Sequence, residues 1–131
     1  MLAEYPRDRI VIINAFVQEE HEDNRRFLLD CERWFEHPIT VLRDEKYGAS
    51  THEVWKQRRF MLGRGQSPCS KLLKGALLDA FCKPGDVAVL GYTAEEPKRL
   101  ELFFDRNADT LPRAPLIERG LTKSDCLAII D

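Results

Sequence analysis

The densest chemistry in the chain lies between Val87 and Arg99, read as V-A-V-L-G-Y-T-A-E-E-P-K-R. Two adjacent carboxylates, Glu95 and Glu96, are followed three residues later by the guanidinium of Arg99. Acids and a cation so spaced can hold a polar ligand, or can simply form an exposed helix start with a Glu95–Arg99 pair worth about 0.2–0.5 kcal/mol. A second set, Gln18-Glu19-Glu20-His21, offers two acids and an imidazole for acid–base work or metal binding, or else a solvated helix start. Asn14 and Phe16 stand just before it, where they can contact a base or merely end a strand. Lys56, Arg58, Arg59 and Arg64, with Lys71 and Lys74, form the densest basic patch. It can act as a cationic mouth for a phosphate, a phosphosulfate or a nucleic-acid backbone, or as a solubilising face. Cys69 follows Pro68 near the expected start of a helix and is a candidate reactive thiol.

The elements that must position these groups alternate between strand and helix. Arg9 to Ala15 contains the continuous β-branched run Ile10-Val11-Ile12-Ile13, as in a parallel strand covered on both faces. Asp23 or Asn24 can cap a helix to about Trp34, with Phe27, Leu28, Cys31 and Phe35 on one face and His37-Pro38 ending it. Ile39–Leu42 is a second strand. Ser50 or Thr51 opens a helix through Phe60, and Cys69 to Phe81 reads as an amphipathic helix. Pro84-Gly85-Asp86 turns into a strand at Val87–Leu90. Gly91 allows a tight turn, and Thr93 can cap the helix that Pro97 opens. Asn107 to Pro115 reads as irregular, and Ser124 to Ile130 as a final helix with Thr122 as its cap. The expected architecture is a single α/β domain over residues 1–131, three-layered, with a mostly parallel sheet flanked by helices. In such sheets ligands bind outside the carboxyl ends of the strands. That rule predicts one concave surface carrying Arg58, Arg64, Lys71, Lys74 and Arg99 with Glu95 and Glu96.

Three segments, taken in order, carry a resemblance. They are Ser67-Pro68-Cys69-Ser70-Lys71-Leu72-Leu73-Lys74, the stretch from Val87 to Arg99, and Pro115-Leu116-Ile117-Glu118-Arg119-Gly120-Leu121-Thr122-Lys123. Together they resemble the phosphoadenosine phosphosulfate reductase-like family, of the adenine-nucleotide α-hydrolase and ATP pyrophosphatase group. The resemblance runs from about Ile10 to the end. It implies an adenine nucleotide as ligand, facing Glu95, Glu96 and Arg99; Lys71, Lys74, Arg58, Arg64 and Asn14, read from their own charge and position, complete the candidate ligand-binding set. It also implies an incomplete domain. The family's first strand and its Ser-Gly-Gly-x-Asp-Ser phosphate loop have no counterpart here, nor has the catalytic Glu-Cys-Gly-Leu-His tail. That strand is central in the family, between the strands that begin here at Arg9 and Val87. Its neighbours must therefore pair anew or take a strand from another chain. Cys69 and Cys126 match two family cysteines of the four that an iron–sulfur cluster requires, so a cluster within one chain is not expected.

Two functions follow as expectations. One is a degenerate or partial reductase-like protein that binds an adenine nucleotide or another anionic ligand. The other is a non-catalytic protein-interaction module, such as a phage-encoded inhibitor of a host complex. A homo-oligomer or a protein partner fits either. The formal net charge of -2 disfavours non-specific nucleic-acid binding. Neither a membrane-length apolar run nor a signal peptide is evident, which makes a cytoplasmic address the default expectation. No C-x-x-C pair marks a zinc site, and Cys31 and Cys82 read as buried packing residues.

Overall fold

A computed structural model describes residues 5–61, 67–107 and 110–130 of the chain. They fold as mixed α/β in two compact units, Met1–Phe81 and Cys82–Asp131. Among the described residues no helix is long and apolar enough to cross a membrane.

The first unit begins with a 3-10 turn, Arg7–Arg9, and then β1, Ile12–Ala15. Helix α1, Asp23–Phe35, leads to β2, Ile39–Leu42. The two strands pair in parallel, with Ile12 opposite Ile39 and Ala15 opposite Leu42. Leu28, Cys31 and Phe35 of α1 are half-buried, as their three- and four-residue spacing requires. Phe27 precedes that stripe by one residue, which turns it away, and it is exposed. Helix α1 ends where Glu36 takes the left-handed conformation (φ 48°), its amide bonded back to the Arg33 carbonyl.

Helix α2, Thr51–Arg58, is capped by Ser50, whose Oγ accepts from the Glu53 amide at 3.4 Å. It stops two residues short of the expected Phe60 because Arg59 turns left-handed (φ 52°). Helices α3, Pro68–Ser70, and α4, Ala76–Phe81, are joined through a π-helical turn, Lys71–Gly75. The π turn places Leu73 in the core and Lys74 on the surface. That core is Val17, Tyr47, Val54 and Leu73, with Cys69 and Leu72 packed against it. It gathers the loops that leave the two strands with α2 and the π turn.

The second unit pairs β3, Val87–Val89, with β4, Leu111–Arg113, again in parallel. Between them lies α5, Pro97–Arg106. Helices α6, Pro115–Glu118, and α7, Lys123–Ile130, follow. Gly85 turns the chain into β3 with a φ of +93°, and the Asp86 carboxylate accepts the Lys83 amide at 2.8 Å.

Three sequence expectations are corrected. The strands do not join one ladder: β1 pairs with β2 and β3 with β4, as two separate two-stranded sheets. Asn107 to Pro115, expected to be irregular, contains β4. Its Pro112 leaves Leu111 and Arg113 to complete the ladder, as happens where only one side is paired. Cys82 lies beyond the end of α4 and is exposed rather than packed.

Candidate functional site

The loop leaving β1 builds two neighbouring clefts in the first unit, both lined by Val17 and Glu20. The first, of about 220 Å³, is lined by Asn14, Phe16, His21 and Arg25 among others. Asn14 is on β1 itself, and Phe16 follows its last residue. The Phe16 amide donates to the Leu42 carbonyl at 2.9 Å, extending the parallel register one step and bringing Arg43 beside Phe16. The Arg43 guanidinium lies 4.1 Å from the Phe16 ring centre, and that of Arg25 lies 5.6 Å away. His21 is partly committed, because its Nδ1 accepts the Asp23 amide at 3.2 Å at the start of α1. An aromatic face, two cations and a carboxamide can bind a planar, electron-rich ring by stacking and edge hydrogen bonds.

The second cleft, of about 190 Å³, is lined by Glu19, Glu20, Thr51, Cys69, Ser70 and Lys74 with Val17. Its carboxylates are already engaged. Glu19 accepts the Ser50 hydroxyl at 2.5 Å on Oε1 and the Thr51 amide at 2.8 Å on Oε2, with His52 Nδ1 3.2 Å from Oε1. Burial alone would raise the Glu19 pKa, but the Ser50 and Thr51 hydrogen bonds outweigh it and bring the group down to about 2. Glu19 is thus a fixed anion on the first turn of α2, where the helix dipole favours it. Glu20 holds Lys74 at 2.6 Å. Cys69 Sγ is 3.2 Å from the Ser67 hydroxyl.

Of the other basic candidates, Arg58 donates from Nε to the Tyr47 hydroxyl at 3.1 Å, so it braces the buried Tyr47. Lys71 is exposed. Arg64 lies outside the described residues. Asn14, Arg58, Lys71 and Lys74 belong to the first unit, and Glu95, Glu96 and Arg99 to the second.

In the second unit two of the motif segments meet. The Ala94 amide donates to the Leu121 carbonyl at 2.8 Å, and the Lys123 amide donates to Glu95 Oε2 at 3.2 Å. Glu96 receives Arg99 Nη1 at 2.6 Å and the Thr93 amide and hydroxyl, both at 3.2 Å. The Arg99 hydrogen bond, then the Thr93 amide, holds the Glu96 carboxyl below its ordinary range. The Arg99 guanidinium also lies 4.6 Å from the Tyr92 ring centre. Two local expectations change here. The pairing is Glu96–Arg99, not Glu95–Arg99, and Thr93 binds the two glutamates instead of capping α5. Thr122 performs its expected task, accepting the Asp125 amide at 3.2 Å and donating to Asp125 Oδ2 at 2.7 Å.

Among the described residues no three His, Cys, Asp or Glu side chains are placed to hold a metal ion. Cys69 and Cys126 fall in different units and are both half-buried. Sequence reasoning did not single out Arg25 and Arg43. Arg43 was within reach, since it follows Leu42 as Phe16 follows Ala15, and pairing the two runs in parallel sets them side by side. No protein-family model, curated protein or solved structure matches the chain.

Proposed function

We propose that this chain is a degenerate adenine-nucleotide-binding domain of the phosphoadenosine phosphosulfate reductase-like kind, binding its ligand without turning it over. One observation carries the reading: the cleft outside β1, where Phe16 lies under two guanidinium groups with Asn14 alongside. This is the end of a parallel strand pair at which α/β folds bind ligands. At about 220 Å³ the cleft is below the roughly 300 Å³ at which pockets for drug-sized ligands begin, so it suits the base rather than a whole nucleotide. The contact between the segments carrying Glu95 and Lys123 further supports the resemblance, because these are two of its three motifs. In this reading the two sheets are parts of an incomplete three-layer domain of the adenine-nucleotide α-hydrolase kind.

The non-catalytic part of the reading is supported by the pairing of the candidate cations. Phosphoryl and sulfuryl oxygens are stabilised by backbone amides and cations free to face them. Lys74 and Arg99 are each held by a glutamate at 2.6 Å. Isothermal titration with adenosine 5′-phosphate tests the proposal. Micromolar binding is expected, weakened by Phe16→Ala by roughly 1–3 kcal/mol, the worth of one base stacked on an aromatic ring. No heat at millimolar nucleotide would refute it.

A second reading, a protein-interaction module, is favoured by a different observation. Phe27 and Trp34, one heptad apart on α1, are 62% and 70% exposed. Large aromatic side chains so presented are typical anchors of protein interfaces.

A further inference from the structure

His37 closes a clasp between the entrances of β1 and β2. It follows Glu36, the left-handed residue that ends α1, and stands two residues before the first residue of β2. Both nitrogens of its ring face carbonyl oxygens. Nδ1 is 3.1 Å from that of Pro38, and Nε2 is 3.0 Å from that of Arg7, 30 residues away. The Arg7 carbonyl belongs to the 3-10 turn Arg7–Arg9, which feeds β1. The same turn is held a second time, because the Arg7 guanidinium donates to the Glu36 carbonyl at 2.9 Å and lies 3.6 Å from the Glu36 carboxylate.

A carbonyl oxygen only accepts, so each of the two ring contacts needs an N–H. Neutral imidazole has one. Its other nitrogen turns a lone pair towards a carbonyl lone pair, whichever tautomer is chosen, because the two partners are alike. Only the imidazolium makes both bonds. The charged groups on the elements around the ring are Arg7, Asp8 and Arg9 of the turn and Glu32, Arg33 and Glu36 at the end of α1; Ile39–Leu42 carries none. Glu32 accepts the Ile39 amide at 2.9 Å, Arg33 pairs with Asp30 at 3.4 Å, Glu36 pairs with Arg7, and Asp8 and Arg9 are exposed. The bond to the Arg7 carbonyl, then that to the Pro38 carbonyl, raises the His37 pKa above its ordinary 6.5, outweighing burial and the repelling charge of Arg7.

We propose that His37 is a pH-operated latch on the turn that enters β1: as imidazolium it ties the Arg7 carbonyl to the Pro38 carbonyl, and on giving its proton to water it releases one of the two and loosens the turn. The sign follows from the raised pKa. The latch is fully closed below the unfolded value of 6.5 and opens as pH rises through the higher folded value. It lies at the end of β1 opposite the Phe16 cleft and does not rest on the nucleotide reading.

NMR on the full chain between about pH 5 and pH 9 tests it. The imidazole nitrogen shifts should give His37 a midpoint above 6.5, with both nitrogens protonated below it. The Ile10 amide, which donates to the Arg7 carbonyl at 3.2 Å, reports on the turn. Its protection from hydrogen exchange, corrected for the intrinsic rate, should fall about twofold to tenfold through the same midpoint, the equivalent of one hydrogen bond. In His37→Gln, which cannot titrate there, that protection should not vary with pH. Should this variant fail to fold, Glu36→Gln replaces it: both carbonyls remain, so the His37 midpoint should stay above 6.5. A wild-type midpoint at or below 6.5, Ile10 protection that does not change with pH, or a change that survives His37→Gln would each overturn the proposal. So would a return of the midpoint to 6.5 in Glu36→Gln, by showing that a carboxylate and not the two carbonyls holds the proton.

Discussion

Replacing Glu19 with glutamine removes one charge and nearly preserves the shape of the side chain. The charge is what the surroundings of Glu19 are built to hold. Two hydrogen bonds, from the Ser50 hydroxyl at 2.5 Å and the Thr51 amide at 2.8 Å, end on its two oxygens. They bring its pKa from an ordinary 4.5 to about 2. At about 1.4 kcal/mol per tenfold, that displacement corresponds to about 3 kcal/mol in favour of the folded first unit. The side chain is 24% exposed, and solvent screening lowers the expected effect to about 2 kcal/mol. The sign follows from the depressed pKa. The stabilisation is complete above the unfolded value near 4.5 and is lost as pH falls towards the folded value near 2. Glu19→Gln should therefore cost about 2 kcal/mol at neutral pH, roughly three-fifths of that at pH 3.5, and almost nothing at pH 2. Urea unfolding followed by tryptophan fluorescence reads the right region, because both tryptophans, Trp34 and Trp55, lie in the first unit. A double-mutant cycle with Ser50→Ala should show coupling of about 1 kcal/mol or more. A cost below about 0.5 kcal/mol at neutral pH, or one that does not change with acid, would show that Glu19 is an ordinary surface acid.

Other outcomes follow from the same geometry. Leu73→Ala removes a fully buried side chain from the π turn and should cost about 2–5 kcal/mol in the same fluorescence assay. Gly85→Ala meets no atom within 4 Å, so its cost is backbone strain at a φ of +93°, about 1–2 kcal/mol, seen in the melting of the second unit by circular dichroism. Carbon-detected NMR titration should find the Glu96 carboxyl below its ordinary range, and Arg99→Ala should return it towards that range, because Arg99 is the first cause of the shift. A sulfite-release assay with phosphoadenosine phosphosulfate and a thiol reductant should give no turnover, and robust release would refute the non-catalytic reading.

Where an element depends on local chemistry, it was legible in the sequence. Ile39–Leu42 forms over those four residues because the run is short, β-branched and bounded by His37-Pro38 and a polar loop. Ser50, Thr122 and the turn before Val87 act locally and were found locally. Elements that depend on distant partners were not legible. Three residues around Pro112 become a strand only because β3 lies beside them. The π turn at Lys71–Gly75 has no local signature, and its outcome, Leu73 in the core beside Val17 and Tyr47, is a tertiary choice. The division into two ladders is likewise a matter of pairing, which apolar periodicity does not encode.

The same distinction governs the site. Residue types showed where cations and acids lie, but not whether they are free. Lys74 and Arg99 read as ligands for an anion when only their charges are known. In the structure each is matched by a carboxylate at 2.6 Å, with Glu20 coming from a loop 54 residues away and Glu96 from three residues upstream. A phosphate would have to displace those glutamates as well as shed its own water, and the charge-assisted bonds it would replace are worth about 1.5–3 kcal/mol each. The cleft beside Phe16 is different in kind, because a planar base can stack on a guanidinium plane as well as on an aromatic ring, and Asn14, Arg25 and Arg43 all line or border it. Binding should therefore depend on the base more than on the phosphates. Adenosine and adenosine 5′-phosphate should bind within about threefold of each other, and raising the salt concentration should leave both affinities nearly unchanged. If the monophosphate instead binds at least about tenfold tighter, with the advantage lost in Lys74→Ala, the cations are available to ligand and the ion pairs at Lys74 and Arg99 do not exclude a phosphate.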